Sequence, residues 1–126
     1  MKIIHTDDAP APVAHYSPAI VHGGVVWCAG QVAIDPKTGE MVRDSVRGET
    51  RQVLRNLRAV LEAAGSSMSR ALKVTVYLAE ITDGAAMNEE FAAAFGDHKP
   101  ARVTIAVKGL PLGARVEIDC IAALND

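Results

Sequence analysis

The sequence predicts an α+β fold: a mixed β-sheet with two helices packed on one of its faces. Three observations predict it. Gly23-Gly24 separates two β-rich runs, apolar residues in 44–64 and 83–95 recur at helical spacing, and three later segments alternate with period two.

In chain order, Ala19-Ile20-Val21-His22 and Val25-Val26-Trp27-Cys28 flank the glycine pair as a hairpin, because glycine accepts positive φ freely. Asp35-Pro36-Lys37-Thr38-Gly39 reads as a turn: Pro36 presets φ, Asp35 bonds the backbone ahead, and Gly39 closes it. In the first helix Val46, Thr50, Val53, Leu54, Leu57, Val60, Leu61 and Ala64 form one stripe. Asp44 or Ser45 caps its start, and Gly65 suits its C-terminal left-handed position. Arg47, Arg51, Arg55, Arg58 and Glu62 fall mainly off the stripe and read as a solvated face. Leu72–Leu78 alternates as a strand. The second helix, from about Asp83 to Phe95, carries Met87, Phe91 and Phe95 as a core stripe, with Thr82 or Asp83 as cap and Gly96 as terminator.

The last two strands cover 101–107 and 114–121. Val103, Ile105 and Val107 share one face and Arg102 and Thr104 the other; Val116, Ile118 and Cys120 oppose Arg115, Glu117 and Asp119. An antiparallel hairpin of these strands with coincident apolar faces sets Val103 opposite Val116, or a register shifted by two; in the unshifted register Arg102 faces Glu117. Two helices cover only one side of such a sheet, so neighbouring subunits are expected on the other, in a ring or dimer.

A chain of 126 residues with 49% hydrophobic content is read as a single domain, 1–126, with an ample core. A net charge of −2 and 4% aromatics argue against nucleic-acid partners and base stacking. Met1–Thr6 lacks a secretory pattern and no apolar run is long enough to span a bilayer, so a cytoplasmic protein without membrane association is expected. Cys28 and Cys120 sit in apolar runs and read as small buried hydrophobes, a disulfide or metal pair being the minority reading. His5 and His22 are expected on the surface, and His98 at the C-terminal end of the second helix.

From pattern alone, Arg102 is either a cross-strand ion pair with Glu117 or a fork that grips a carboxylate through parallel N–H donors. Glu117 is either a solvated carboxylate or a group that orients water in a cleft. Pro100-Ala101-Arg102-Val103-Thr104-Ile105, Lys108-Gly109-Leu110 and Val116-Glu117-Ile118 strongly resemble the C-terminal signature of the RidA/YjgF family, the reactive-intermediate deaminases. Ala29-Gly30-Gln31-Val32, the 35–40 turn, Gln52–Leu57, Leu61–Gly65, Lys73–Leu78 and Met87–Phe91 continue the resemblance in order along nearly the whole chain.

The resemblance implies a chorismate-mutase-like fold assembled as a homotrimer with clefts between subunits. It implies hydrolysis of 2-aminoacrylate-type enamines and imines, released by pyridoxal-phosphate enzymes, to 2-oxo acids and ammonia. No metal or organic cofactor is implied. Residue by residue, Arg102 corresponds to the carboxylate-binding arginine and Glu117 to the glutamate beside the attacking water. Tyr16, Gly30 and Asn88 correspond to cleft residues; Thr104 stands where cysteine is frequent and is placed to share the water. Ala29 replaces a frequent serine and His15 the usual proline. Tyr16 reads equally as an edge aromatic packing on a neighbour. Two further functions are carried beside the deaminase: a non-catalytic trimeric binder of small 2-oxo or amino acids, or holdase-like protein, and, less favoured, an endoribonuclease.

Overall fold

The computed structural model describes all 126 residues. Six strands, β1 (Lys2–Ile4), β2 (Ala19–His22), β3 (Val25–Gln31), β4 (Ala71–Leu78), β5 (Ala101–Ala106) and β6 (Val116–Ala123), form one sheet in the order β1-β2-β3-β6-β4-β5. Helices α1 (Val46–Ala63) and α2 (Gly84–Phe95) pack against each other, and α1 lies on β3 and β6. This is the α+β, mixed-sheet arrangement expected of the sequence. The edge strand β1 is an addition, too short for its alternation to stand out.

Local chemistry explains most element boundaries. Gly23 and Gly24 both take positive φ, 61° and 76°, and β2 and β3 pair antiparallel across them. Asp35 Oδ1 accepts from the Lys37 N–H at 2.8 Å, and Gly39 adopts φ 76°. Ser45, extended at φ −164°, caps α1 by accepting from the Gly48 N–H at 2.9 Å. The cap foreseen for α2 is absent: Asp83 is already helical at φ −80° and makes no side-chain bond, because a 3-10 turn over Ile81–Asp83 leads directly into the helix. The His98 ring contacts the Ala71 carbonyl at 2.7 Å rather than the end of α2, since its loop folds back over the start of β4.

The register overturns the expected hairpin of the last two strands. β5 pairs parallel with β4, while β6 lies on the other side of β4 and pairs antiparallel with it. The α2 crossover delivers β5 to the sheet edge, and β6 inserts between β3 and β4. In the sheet Arg102 opposes Val74 and Thr104 opposes Val76, both fully buried under the helices. Directly opposed residues share a face, so Arg102 and Thr104 lie on the helix-bearing side. Val103 and Ile105, expected in the core, are 38% and 41% exposed on the open side. Glu117 opposes Tyr77, also on the open side. Arg102 and Glu117 therefore do not face each other.

The core is filled by Val53, Leu57, Val60 and Leu61 of α1 against Val26, Val74, Val76, Val116 and Ile118 of the sheet, all fully buried, with Met87, Phe91 and Phe95 of α2. Cys28 and Cys120 are neighbours across β3 and β6, both free. Burial pushes both thiols up, reinforced at Cys28 by Cys120 and Asp119 and at Cys120, which rises to about 12, by Asp119, so neither supplies a thiolate nucleophile.

Buried polar groups of α1 tie the sheet's ends to the helix. Asn56, buried, donates to the Val32 carbonyl at 3.1 Å and the Ile34 carbonyl at 2.8 Å, holding the segment that leaves β3. Glu49, 1% exposed, accepts from the Arg115 N–H at 3.0 Å and pairs with its guanidinium. On the outer surface Arg47 and Arg51 are not merely solvated: they pair with Glu89 and Glu90 of α2. Replacing Glu49 with Ala strands the Arg115 amide and guanidinium and is expected to cost about 2–4 kcal/mol. Chemical denaturation of E49A, with E49Q retaining part of the loss, measures it.

Candidate functional site

Two concave regions, on opposite sides of the sheet, divide the residues singled out from the sequence. The first is built by α2 and the start of β5. Arg102 Nη1 donates to Asn88 Oδ1 at 2.8 Å, and the guanidinium lies over the Phe91 ring at 4.7 Å from its centroid. Asn88 and Phe91 are three residues apart, so one helical face presents the amide and the aromatic together. Phe91 in turn packs on Phe95 at 4.5 Å between centroids, which fixes the platform. None of the chain's five ion pairs involves Arg102. It is a preset guanidinium with donors to spare, bordering a cavity of about 270 Å³ with Asn88, Phe91, Lys99 and Pro100. Thr104, two residues on, holds a buried hydroxyl without a hydrogen-bond partner in its own chain.

The second region lies against β3 and β6 and is closed by the N-terminal segment. A cavity of about 350 Å³ is lined by Tyr16, Ala29, Gly30, Val32, Leu112 and Glu117, among others. A register shift between Cys28 and Gln31 in β3 bulges Ala29 and Gly30 toward this cavity. Gly30 is needed for its size here: a Cβ would sit 2.6 Å from Glu117 Oε2 and would displace the carboxylate. Tyr16, half-exposed, has its hydroxyl 3.4 Å from the Val13 amide, which bends the segment over the opening.

Glu117 has no cationic partner among the chain's ion pairs. Partial burial, and then the neighbouring Asp119 charge, raise its carboxyl above the usual range. Asp119 itself accepts from the Tyr77 hydroxyl at 2.8 Å, an interaction that raises the phenol. No three His, Cys, Asp and Glu side chains are grouped as a metal ion would require.

The structure thus brings Arg102 and Asn88 together, with Thr104 on the same face of β5 but outside their cavity, and separately Tyr16, Gly30 and Glu117. Sequence reasoning read Phe91 only as core, whereas it is also the seat of the guanidinium; its position three residues after Asn88 was the available signal. Leu112 and the Arg43 beneath it were missed altogether. The signal at Leu112 is a backbone conformation, which residue type does not reveal.

Known proteins share this fold and much of this sequence. A sequence profile described as Endoribonuclease L-PSP matches residues 6–124. A RutC family protein of Pyrococcus horikoshii is 50% identical over 121 residues, covering 96% of each chain. The 2-iminobutanoate/2-iminopropanoate deaminase of Rattus norvegicus is 39% identical, over 96% of this chain and 88% of its own. The crystal structure of E. coli TdcF with bound serine superposes with a TM-score of 0.94 at 34% identity, covering 99% of this chain and 100% of that one. The chain belongs to the RidA/YjgF family. Its relatives include named imine deaminases, and no helix is long and apolar enough to cross a membrane.

The raised carboxyl of Glu117 has a stability consequence. A native-state value above the unfolded one means that its contribution is present at low pH and is lost as pH rises through the native value. At neutral pH the ionised group therefore weakens the fold. Glu117→Gln is expected to raise the thermal midpoint at pH 7, with the difference closing as the pH is lowered through the ordinary carboxylate range. Calorimetric scans of both proteins across pH 3–8 measure it.

Proposed function

We propose that this protein hydrolyses 2-imino acids and their enamine tautomers at clefts completed by a second copy of the chain, in a homotrimer. The reading rests chiefly on one observation. A preset guanidinium without an acid and a half-buried carboxylate without a cation occupy opposite sides of one sheet. Each lacks in its own chain what the other provides. The exposed Trp27, Val103 and Ile105 on the uncovered face supply apolar surface for the same association. The relatives named as imine deaminases, and the bound serine of TdcF, support a small amino-acid-like substrate.

In this mechanism Arg102 binds the substrate carboxylate through paired N–H donors, held in position by Asn88 and Phe91. The imine carbon is thereby directed at the cavity of the neighbouring copy. There Glu117, its basicity raised by burial, takes a proton from water as the oxygen attacks that carbon. Glu117 returns that proton to the nitrogen, and the carbinolamine expels ammonia as its hydroxyl proton passes to the leaving nitrogen, giving the balance R–C(=NH)–COO⁻ + H₂O → R–C(=O)–COO⁻ + NH₃. The Thr104 hydroxyl, buried and without a partner in its own chain, lies two residues from Arg102 on the same face of β5 and reaches that water only once the cleft forms. Gly30 keeps room for the carboxylate and Tyr16 closes the cleft over the substrate. Action of such an enzyme in the cytoplasm, on imines and enamines released by pyridoxal-phosphate enzymes, is part of the same reading.

Arg102→Ala is expected to lower kcat/KM for imine hydrolysis on the order of 100-fold or more, with circular dichroism and oligomeric mass unchanged. Activity is read as 2-oxo acid or ammonia release while a dehydratase generates the imine. Arg102→Ala and Glu117→Gln, each inactive alone, should recover activity when co-refolded, since random reassortment leaves about a quarter of the seams with both groups intact. Absence of complementation would remove the shared cleft. Binding of 2-oxobutyrate by the native protein without turnover would replace the enzyme with a binder.

A further inference from the structure

Leu112 occupies the rim of the Glu117 cavity in a conformation that a branched apolar residue avoids. It adopts φ 59° and ψ 21°, and it is the chain's one non-glycine residue with positive φ. The left-handed region crowds the Cβ of any L-residue, and glycine would occupy it without strain. Such strain persists only where the surroundings over-determine it, and it gathers at ligand sites.

The surroundings here are specific. Arg43 Nη2 donates to the Leu112 carbonyl at 2.7 Å, and the Arg43 carbonyl accepts from Arg115 Nη2 at 3.0 Å. Arg115 is itself paired with the buried Glu49 of α1. A relay from the core, Glu49 to Arg115 to Arg43, thus clamps the backbone on which Leu112 stands. The side chain so held is 51% exposed and lines the same cavity as Tyr16 and Glu117. Val13, Val32, Ile34 and Pro111 complete an apolar wall around a volume of about 350 Å³. A methyl side chain leaves most of that wall untouched, whereas a longer apolar one replaces water along it.

We propose that Leu112 is the specificity-determining residue of the cleft, and that it selects 2-imino acids with apolar side chains of three or more carbons over 2-iminopropanoate. Arg43 is its positioning residue. The inference rests on the imine-hydrolase reading above and adds to it the class of substrate side chain. One methylene in an apolar pocket discriminates by about tenfold or more, so a four-carbon side chain has ample contact to separate the substrates.

The test generates imines in place from alanine and from leucine with an L-amino-acid oxidase and catalase, and follows their loss as reduced semicarbazone formation. The native protein should favour the leucine-derived imine by about tenfold or more in kcat/KM. Leu112→Ala should collapse that ratio by about tenfold, through KM for the leucine-derived imine rather than kcat. Leu112→Gly should collapse the ratio equally while raising the thermal midpoint, because it removes the wall and the strain together. Arg43→Ala should lower the same ratio, and Arg43→Lys should restore part of it. An active native protein whose ratio is unchanged in Leu112→Ala and Leu112→Gly overturns this inference and leaves the hydrolase reading standing. A native protein inactive on both imines overturns both.

Discussion

Parallel pairing of β5 with β4 at the sheet edge is the constraint from which the arrangement of the candidate site follows. A parallel partner must be reached by a crossover, and α2 is that crossover, so the start of β5 emerges beside the helix that leads to it. Arg102 consequently rests on Phe91 and bonds Asn88. With β6 inserted on the far side of β4, Glu117 opens onto the other face of the sheet. An antiparallel hairpin would have joined the two charges within one chain and cancelled them.

Keeping them apart leaves both groups uncompensated, and the fold supports each differently. Arg102 stays hydrated and exposed, so its lack of an acid costs little, while the aromatic platform and the amide limit its freedom. Glu117 is partly desolvated beside another carboxylate, which is unfavourable for its charged form. That burden is tolerable because the apolar core between α1 and the sheet is extensive and continuous. Local departures from the most stable arrangement at the bulge of Gly30, at Glu117 and at Leu112 cluster around one cavity.

The polar network at the N-terminal end of α1 links these features. Glu49 is buried yet paired, so its charge acts as an anchor for the start of β6 and, through Arg115 and Arg43, for the loop bearing Leu112. Asn56 serves the opposite edge of the cavity by holding the carbonyls of Val32 and Ile34. Both come from one helix, so the two walls of the cavity share a rigid support.

By itself the sequence determined the helices, their stripes, the first hairpin and the turn at Asp35–Gly39. These depend on spacing along the chain and on local preferences such as the positive φ of Gly23 and the cap at Ser45. Its family signature also named the six candidate site residues, because short motifs persist in order irrespective of their partners in space. Only the tertiary structure decided which strand lies beside which. The alternation of Val103 and Ile105 specifies two faces but not which is covered, and a parallel and an antiparallel neighbour are equally compatible with it. The separation of Arg102 from Glu117, the seat on Phe91, the pairing of Glu49 with Arg115 and the left-handed Leu112 all depend on that choice, since each joins residues or fixes a backbone through contacts distant in sequence.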